Sequence, residues 1–118
     1  MTVLAILFNC SEPEAVTEAL QEIKLDEDIQ QNLKASQLVL GAYANRLTAV
    51  DPNWTLEASE EAQPFRQDLS EQHYFDDFIK DWIQNYNLRI VGGCCGITPE
   101  HISYISKHLS EIGATPIK

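Results

Sequence analysis

The apolar positions change period along the chain, and each change marks an element boundary. Val3 to Phe8 is a continuous apolar run of strand length, the pattern of a strand buried on both faces. Behind it, Val16, Ala19, Leu20 and Ile23 fall at i, i+3, i+4 and i+7, one face of a helix. Ser11, with Glu14 three residues on and Pro13 inside the first turn, offers that helix a capping box. A shorter helical turn is expected from Asp26 to about Lys34, around Ile29 and Leu33. Leu38 to Tyr43 reads as a second buried strand. The clearest helix carries Phe75, Phe78, Ile79, Trp82, Ile83 and Tyr86 on one stripe. Leu88 to Val91 makes a third strand. Thr98 as N-cap and Pro99 at N1 then open a last helix, with Ile102, Ile105 and Leu109 on its buried face.

Strand and helix thus alternate three times, which predicts an α/β fold of three consecutive β–α units with parallel strands. From Ala44 to about Leu69 no period is sustained, and long loops inside compact domains tend to be functional. Glu57, Glu60 and Glu61 in that stretch read as a solvated acidic loop. At 118 residues the chain is one domain or less.

Composition narrows the classes. An apolar fraction of 44% and a charged fraction of 22% are ordinary for a globular protein. A formal charge of −10 argues against nucleic acid as a partner, since phosphate binding needs clustered Lys and Arg. No apolar run reaches the roughly 18 residues of a membrane span. The opening MTVLAILFNC lacks the basic region and small-residue cleavage neighbours of a signal segment. Three cysteines, two of them adjacent, do not make a secreted disulfide framework, so a reducing compartment, the cytoplasm by default, is expected.

The candidate chemistry lies in Val91-Gly92-Gly93-Cys94-Cys95-Gly96. Adjacent cysteines reach disulfide geometry only with strain. Flanking glycines let the backbone turn sharply and approach a bound group. Cys10 ends the first strand, and the pair follows the third, so all three thiols sit where parallel α/β folds place their ligands. Three thiolates suit a soft or borderline metal, and three protein ligands leave a tetrahedral zinc with one open position. Two other readings compete: small buried hydrophobes in a tight turn, or a metal-free redox pair. Asn9 and Asn45 serve equally as turn residues, and Tyr43 as core or pocket lining. His73 and His108 are expected on solvated helix surfaces, and His101 in a supporting or structural role.

Phe8-Asn9-Cys10 before a Pro-containing helix start, Tyr43-Ala44-Asn45, and Gly92-Gly93-Cys94-Cys95-Gly96-Ile97-Thr98-Pro99-Glu100-His101-Ile102 together resemble the homocysteine S-methyltransferases. They match that family's segments after the sixth, seventh and eighth strands of a (β/α)8 TIM barrel. Ile97 stands in place of the usual Thr, and Ala44 in place of a frequent proline. The resemblance implies that residues 1–118 form the C-terminal, zinc-carrying part of the homocysteine-binding barrel, strands six to eight with their helices. It implies Zn2+ on Cys10, Cys94 and Cys95, and substrate contacts from Asn9, Tyr43 and Asn45. No catalytic residue beyond the metal ligands is expected. It also implies homocysteine and a methyl donor as substrates, with S-methylmethionine or S-adenosylmethionine favoured over betaine, and methionine as product. The family's substrate-orienting acidic residues lie after earlier strands, so self-association or a partner supplying the rest of the barrel is expected. The alternative is a non-catalytic zinc-binding or regulatory remnant.

Overall fold

The structure is a computed structural model and describes residues 3–47 and 65–113. Its elements run β1 (Ala5–Asn9), α1 (Pro13–Leu25), α2 (Glu27–Ala35), β2 (Val39–Tyr43), a long helix α3, β3 (Ile90–Val91) and α4 (Pro99–His108). Helix α3 comprises Glu71–Tyr74, a π-turn at Phe75–Ile79, and Lys80–Tyr86. The last turn of α4 tightens into a 3-10 segment at Leu109–Ile112. The strands are parallel in the order β1-β2-β3, with Ile6 opposite Leu40, Phe8 opposite Ala42, and Ala42 opposite Val91. The mixed α/β architecture and the parallel three-stranded sheet are those expected from the alternating pattern.

One face of the sheet makes the core. Leu40, Ala42 and Ala44, with Phe8 and Val91 at their sides, join Val16 and Leu20 of α1, Phe75, Ile79 and Trp82 of α3, and Ile105 and Leu109 in a single cluster. The opposite face carries Leu7, Gly41 and Ile90 in register. Gly41 has to be glycine there, because a Cβ would collide with the Leu7 side chain and with Ile90 on either side.

The expectation that Val3 to Phe8 is buried on both faces fails. Leu4 is 74% exposed and Leu7 40%. Among the described residues nothing covers the Leu7–Gly41–Ile90 face, and β1 is an edge strand beyond which Ile6 is also left exposed. Parallel sheets are ordinarily covered on both faces. The continuous apolar run therefore describes an environment that these residues do not supply by themselves.

The local capping signals match the observed helix termini at some positions and not at others. Asp26 caps α2, its side chain accepting from the Ile29 N–H at 3.0 Å. Thr98 and Pro99 open α4 as expected. The proposed Ser11 cap is one residue out: Glu12 is the N-cap, without a side-chain bond, and Pro13 is at N1. Ser11 instead donates to the Asn9 carbonyl at 3.0 Å, and Glu14 is drawn to Arg66. Ile102 is 44% exposed, and the buried stripe of α4 runs through His101, Ile105 and Leu109. His73 is exposed, but His108 is half-buried, stacked on the Tyr104 ring at 3.8 Å between centroids. The loop residues Glu57, Glu60 and Glu61 lie outside the described residues.

Among the described residues, no helix is long and apolar enough to cross a membrane.

Candidate metal centre

The three cysteines meet at the C-terminal edge of the sheet, because β2 continues past its last ladder pair and holds the loops on both sides. The Cys10 N–H donates to the Tyr43 carbonyl at 3.0 Å, and the Asn45 N–H to the Ser11 carbonyl at 2.9 Å. On the other side, the Cys94 N–H donates to Ala44 at 2.8 Å and the Arg46 N–H to Cys95 at 2.8 Å. Four hydrogen bonds thus tie Cys10, its neighbour Ser11, Cys94 and Cys95 to one short backbone segment.

Each cysteine loop takes a backbone shape suited to turning its thiol inward. Cys10 lies in the left-handed region with φ of 46°. That conformation costs a non-glycine residue energy and persists only where surroundings enforce it. The enforcing contact is the Asn45 amide, which donates to the Cys10 carbonyl at 2.9 Å and lies 3.7 Å from its sulfur. The other end of the same amide accepts from the Leu47 N–H at 3.2 Å. At the adjacent pair, a turn closes from the Ile97 N–H to the Cys94 carbonyl at 3.0 Å. Gly96 supplies its positive φ of 81°, and a Cβ at Gly93 would collide with Ile97. Gly93 and Gly96 are therefore accounted for by close approach and turn geometry.

The sulfurs converge. Cys10 Sγ lies 3.9 Å from Cys95 Sγ, Cys94 Sγ lies 4.0 Å from Cys95 Sγ, and all three fall within 4.8 Å of one another. Zinc–sulfur bonds of about 2.3 Å at tetrahedral angles place sulfurs about 3.8 Å apart, so two separations already suit a shared tetrahedral ion. The donor set fits zinc in chemistry as well as in spacing. Cys95 is exposed and the other two are half-buried, which leaves the cluster open on one side.

The thiols influence one another. Hydrogen bonding from Cys94, and then from the Asn45 amide, holds Cys10 below the ordinary thiol value. Cys94, as the partner of that bond and partly desolvated, is pushed up to about 11.

Of the other expected site residues, Asn9 is exposed and pairs in register with Tyr43, which is half-buried. Asn45 is buried, with its amide on Cys10 as described. His101 lies outside the cluster: its Nδ1 accepts from the Thr98 N–H at 3.1 Å, and its Nε2 bonds the Leu69 carbonyl at 2.9 Å. Two contributors escaped the sequence reading. Tyr74, just off the aromatic stripe, donates to the Gly92 carbonyl at 2.7 Å, and burial raises its phenol so that it stays a donor. Arg46 braces the loop edge, with Nε on the Arg66 carbonyl at 2.7 Å and a longer contact to Gly96.

The family model for homocysteine S-methyltransferase matches residues 1–109. No solved structure matches the chain.

Proposed function

Because the chain belongs to the homocysteine S-methyltransferase family, we propose that it holds a zinc ion on Cys10, Cys94 and Cys95 and serves methyl transfer to homocysteine, giving methionine. The observation that carries this is the convergence of three thiols within 4.8 Å at one sheet edge. When bound, zinc supplies Lewis acidity to a substrate thiol, whose free pKa of about 8.5 leaves it mostly protonated at neutral pH.

The chain's own residues prepare that site. Hydrogen bonding that lowers the Cys10 thiol favours the thiolate form a metal takes up. Asn45 keeps Cys10 in its left-handed turn, and the Cys94–Ile97 turn keeps the pair aimed at the same point. We assign substrate contacts to Asn9, Tyr43 and Asn45, which flank Cys10 on β1 and the end of β2. The methyl donor is proposed to be a sulfonium, S-methylmethionine or S-adenosylmethionine. We further propose that the three β–α units correspond to strands six to eight of a TIM barrel, completed by other polypeptide. The bare Leu7–Gly41–Ile90 face, which would line such a barrel, supports that reading.

The same bare face favours a second reading, a zinc-binding chain without methyl transfer. One set of measurements separates them: metal content of the chain and its Cys→Ser variants, with methionine formation from homocysteine and either sulfonium donor. About one zinc, lost with each cysteine, is expected. Methionine should form only when polypeptide completing the barrel is added. Zinc binding without methionine under either condition favours the second reading, and no zinc refutes both.

A further inference from the structure

The loop that carries Cys94 and Cys95 has few side chains with which to hold itself, since Gly92, Gly93 and Gly96 contribute none. Two buried polar side chains reach its ends from beneath. Tyr74, fully buried on α3, donates its hydroxyl to the Gly92 carbonyl, two residues before Cys94. His101, 1% exposed at the third position of α4, accepts from the Thr98 N–H, three residues after Cys95. Its other nitrogen is held by Leu69, ahead of α3. The two rings pack edge to face, with centroids 6.2 Å apart. Both ends of the cysteine loop are therefore fastened to one buried aromatic pair.

This arrangement has a chemical consequence. A metal site tolerates errors of only about 0.2 Å in ligand distance. The β2 backbone sets one side of the loop through the Cys94 N–H, but Gly92 and Thr98 set where the turn between them starts and stops. Burying a hydroxyl or an imidazole is unfavourable unless a partner is met, and here the hydroxyl and one imidazole nitrogen meet theirs at the ends of the cysteine loop.

We propose that Tyr74 and His101 are positioning residues for the metal centre, fixing the Cys94–Cys95 pair at its separation from Cys10. The inference rests on the zinc reading of the three cysteines, and neither residue touches metal or substrate. The π-turn at Phe75–Ile79 gains a use on this account. A wider turn just after Tyr74 lets Tyr74, Phe75, Ile79 and Trp82 all face inward, so that the hydroxyl reaches Gly92 without loss of core packing.

The test uses the 118-residue chain and cobalt(II) as the metal probe, with Tyr74→Phe, His101→Gln and Thr17→Val compared with wild type. Thr17→Val is the matched control: it removes the acceptor of the Trp82 indole N–H, a partly buried bond of 2.9 Å that involves no residue of either cysteine loop. Thermal unfolding is recorded alongside, as is metal-free hydrogen exchange at the Cys94 amide, which bonds Ala44. Removal of an outer partner of a metal site typically weakens affinity by about 10-fold or more. The expected result is that weakening in Tyr74→Phe and His101→Gln, with faster Cys94 exchange, and neither change in Thr17→Val. Unaltered cobalt affinity and Cys94 exchange in the two site variants, at whatever loss of stability, would overturn the inference. Absence of cobalt binding by wild type would overturn the zinc reading instead, and the exchange rates would then decide alone whether Tyr74 and His101 hold the loop.

Discussion

The two borders of the sheet are built to opposite standards. At its C-terminal edge every turn is spoken for: β2 binds both cysteine loops, Asn45 enforces the Cys10 conformation, and Gly93 and Gly96 fit where no side chain could. On the face away from the helices, Leu7 and Ile90 stand about Gly41 with nothing over them among the described residues. The contrast separates two requirements of the proposed reaction. Among the described residues, three thiols that could hold a metal are brought together, whereas the face beside them that would enclose a substrate is left bare.

That division predicts effects of graded size. The largest belongs to the thiols. Cys10→Ser should weaken zinc binding by about 100-fold or more, given the large free energies of multi-thiolate zinc sites, without unfolding the sheet. Competition with a chromophoric chelator, read beside circular dichroism, measures both. Retained wild-type affinity would mean that the cysteines do not act together.

The glycines come next. Gly93→Val should destabilise the chain by about 1–3 kcal/mol through overpacking against Ile97, and weaken zinc in step as the turn shifts. Denaturant unfolding checks the first part and chelator competition the second. Leu7→Ser on the bare face should do the reverse, leaving zinc affinity within about twofold while reducing self-association or binding of a barrel-completing partner. Sedimentation at several concentrations decides it. A Leu7→Ser chain that binds zinc poorly would show that the two borders are coupled after all.

The smallest effect is at Arg66, which reaches Glu14 at 2.6 Å and Asp68 at 2.7 Å and so ties the start of α1 to the segment before α3. Hydrogen bonding to Arg66 lowers the Glu14 carboxyl below its ordinary value. A depressed carboxyl contributes stability above its unfolded pKa of about 4.3 and loses it as pH falls through the folded value. Arg66→Met should therefore cost about 1 kcal/mol or less at neutral pH, because the partners are largely solvated, and less in acid. Thermal unfolding at pH 7 and pH 3 tests the sign. A gap that widens in acid would be contrary.

Much of this was legible in the sequence, and the exceptions share a cause. Periodicity located the strands and helices because it records burial against helices that the chain itself contains. The cysteine triad was legible because strand order brings the ends of β1 and β3 to either side of β2. The exposure of Leu4 and Leu7 was not legible, since an apolar run states what a strand is suited to meet and not whether it is met. Tyr74 was missed because the π-turn displaces it from the regular stripe of Phe75, Ile79 and Trp82. His101 replaced Ile102 on the buried side of α4 because Leu69 and Thr98 together satisfy both of its ring nitrogens. Such partners are set by tertiary contact and leave no spacing to read.

X-ray absorption of the zinc-loaded chain tests the central claim most directly. Three sulfur scatterers at about 2.3 Å, with one lighter atom completing the shell, are predicted, and a fourth sulfur should replace that atom when homocysteine is added to the barrel-completed form. A shell with two sulfurs or fewer would contradict a centre built from Cys10, Cys94 and Cys95.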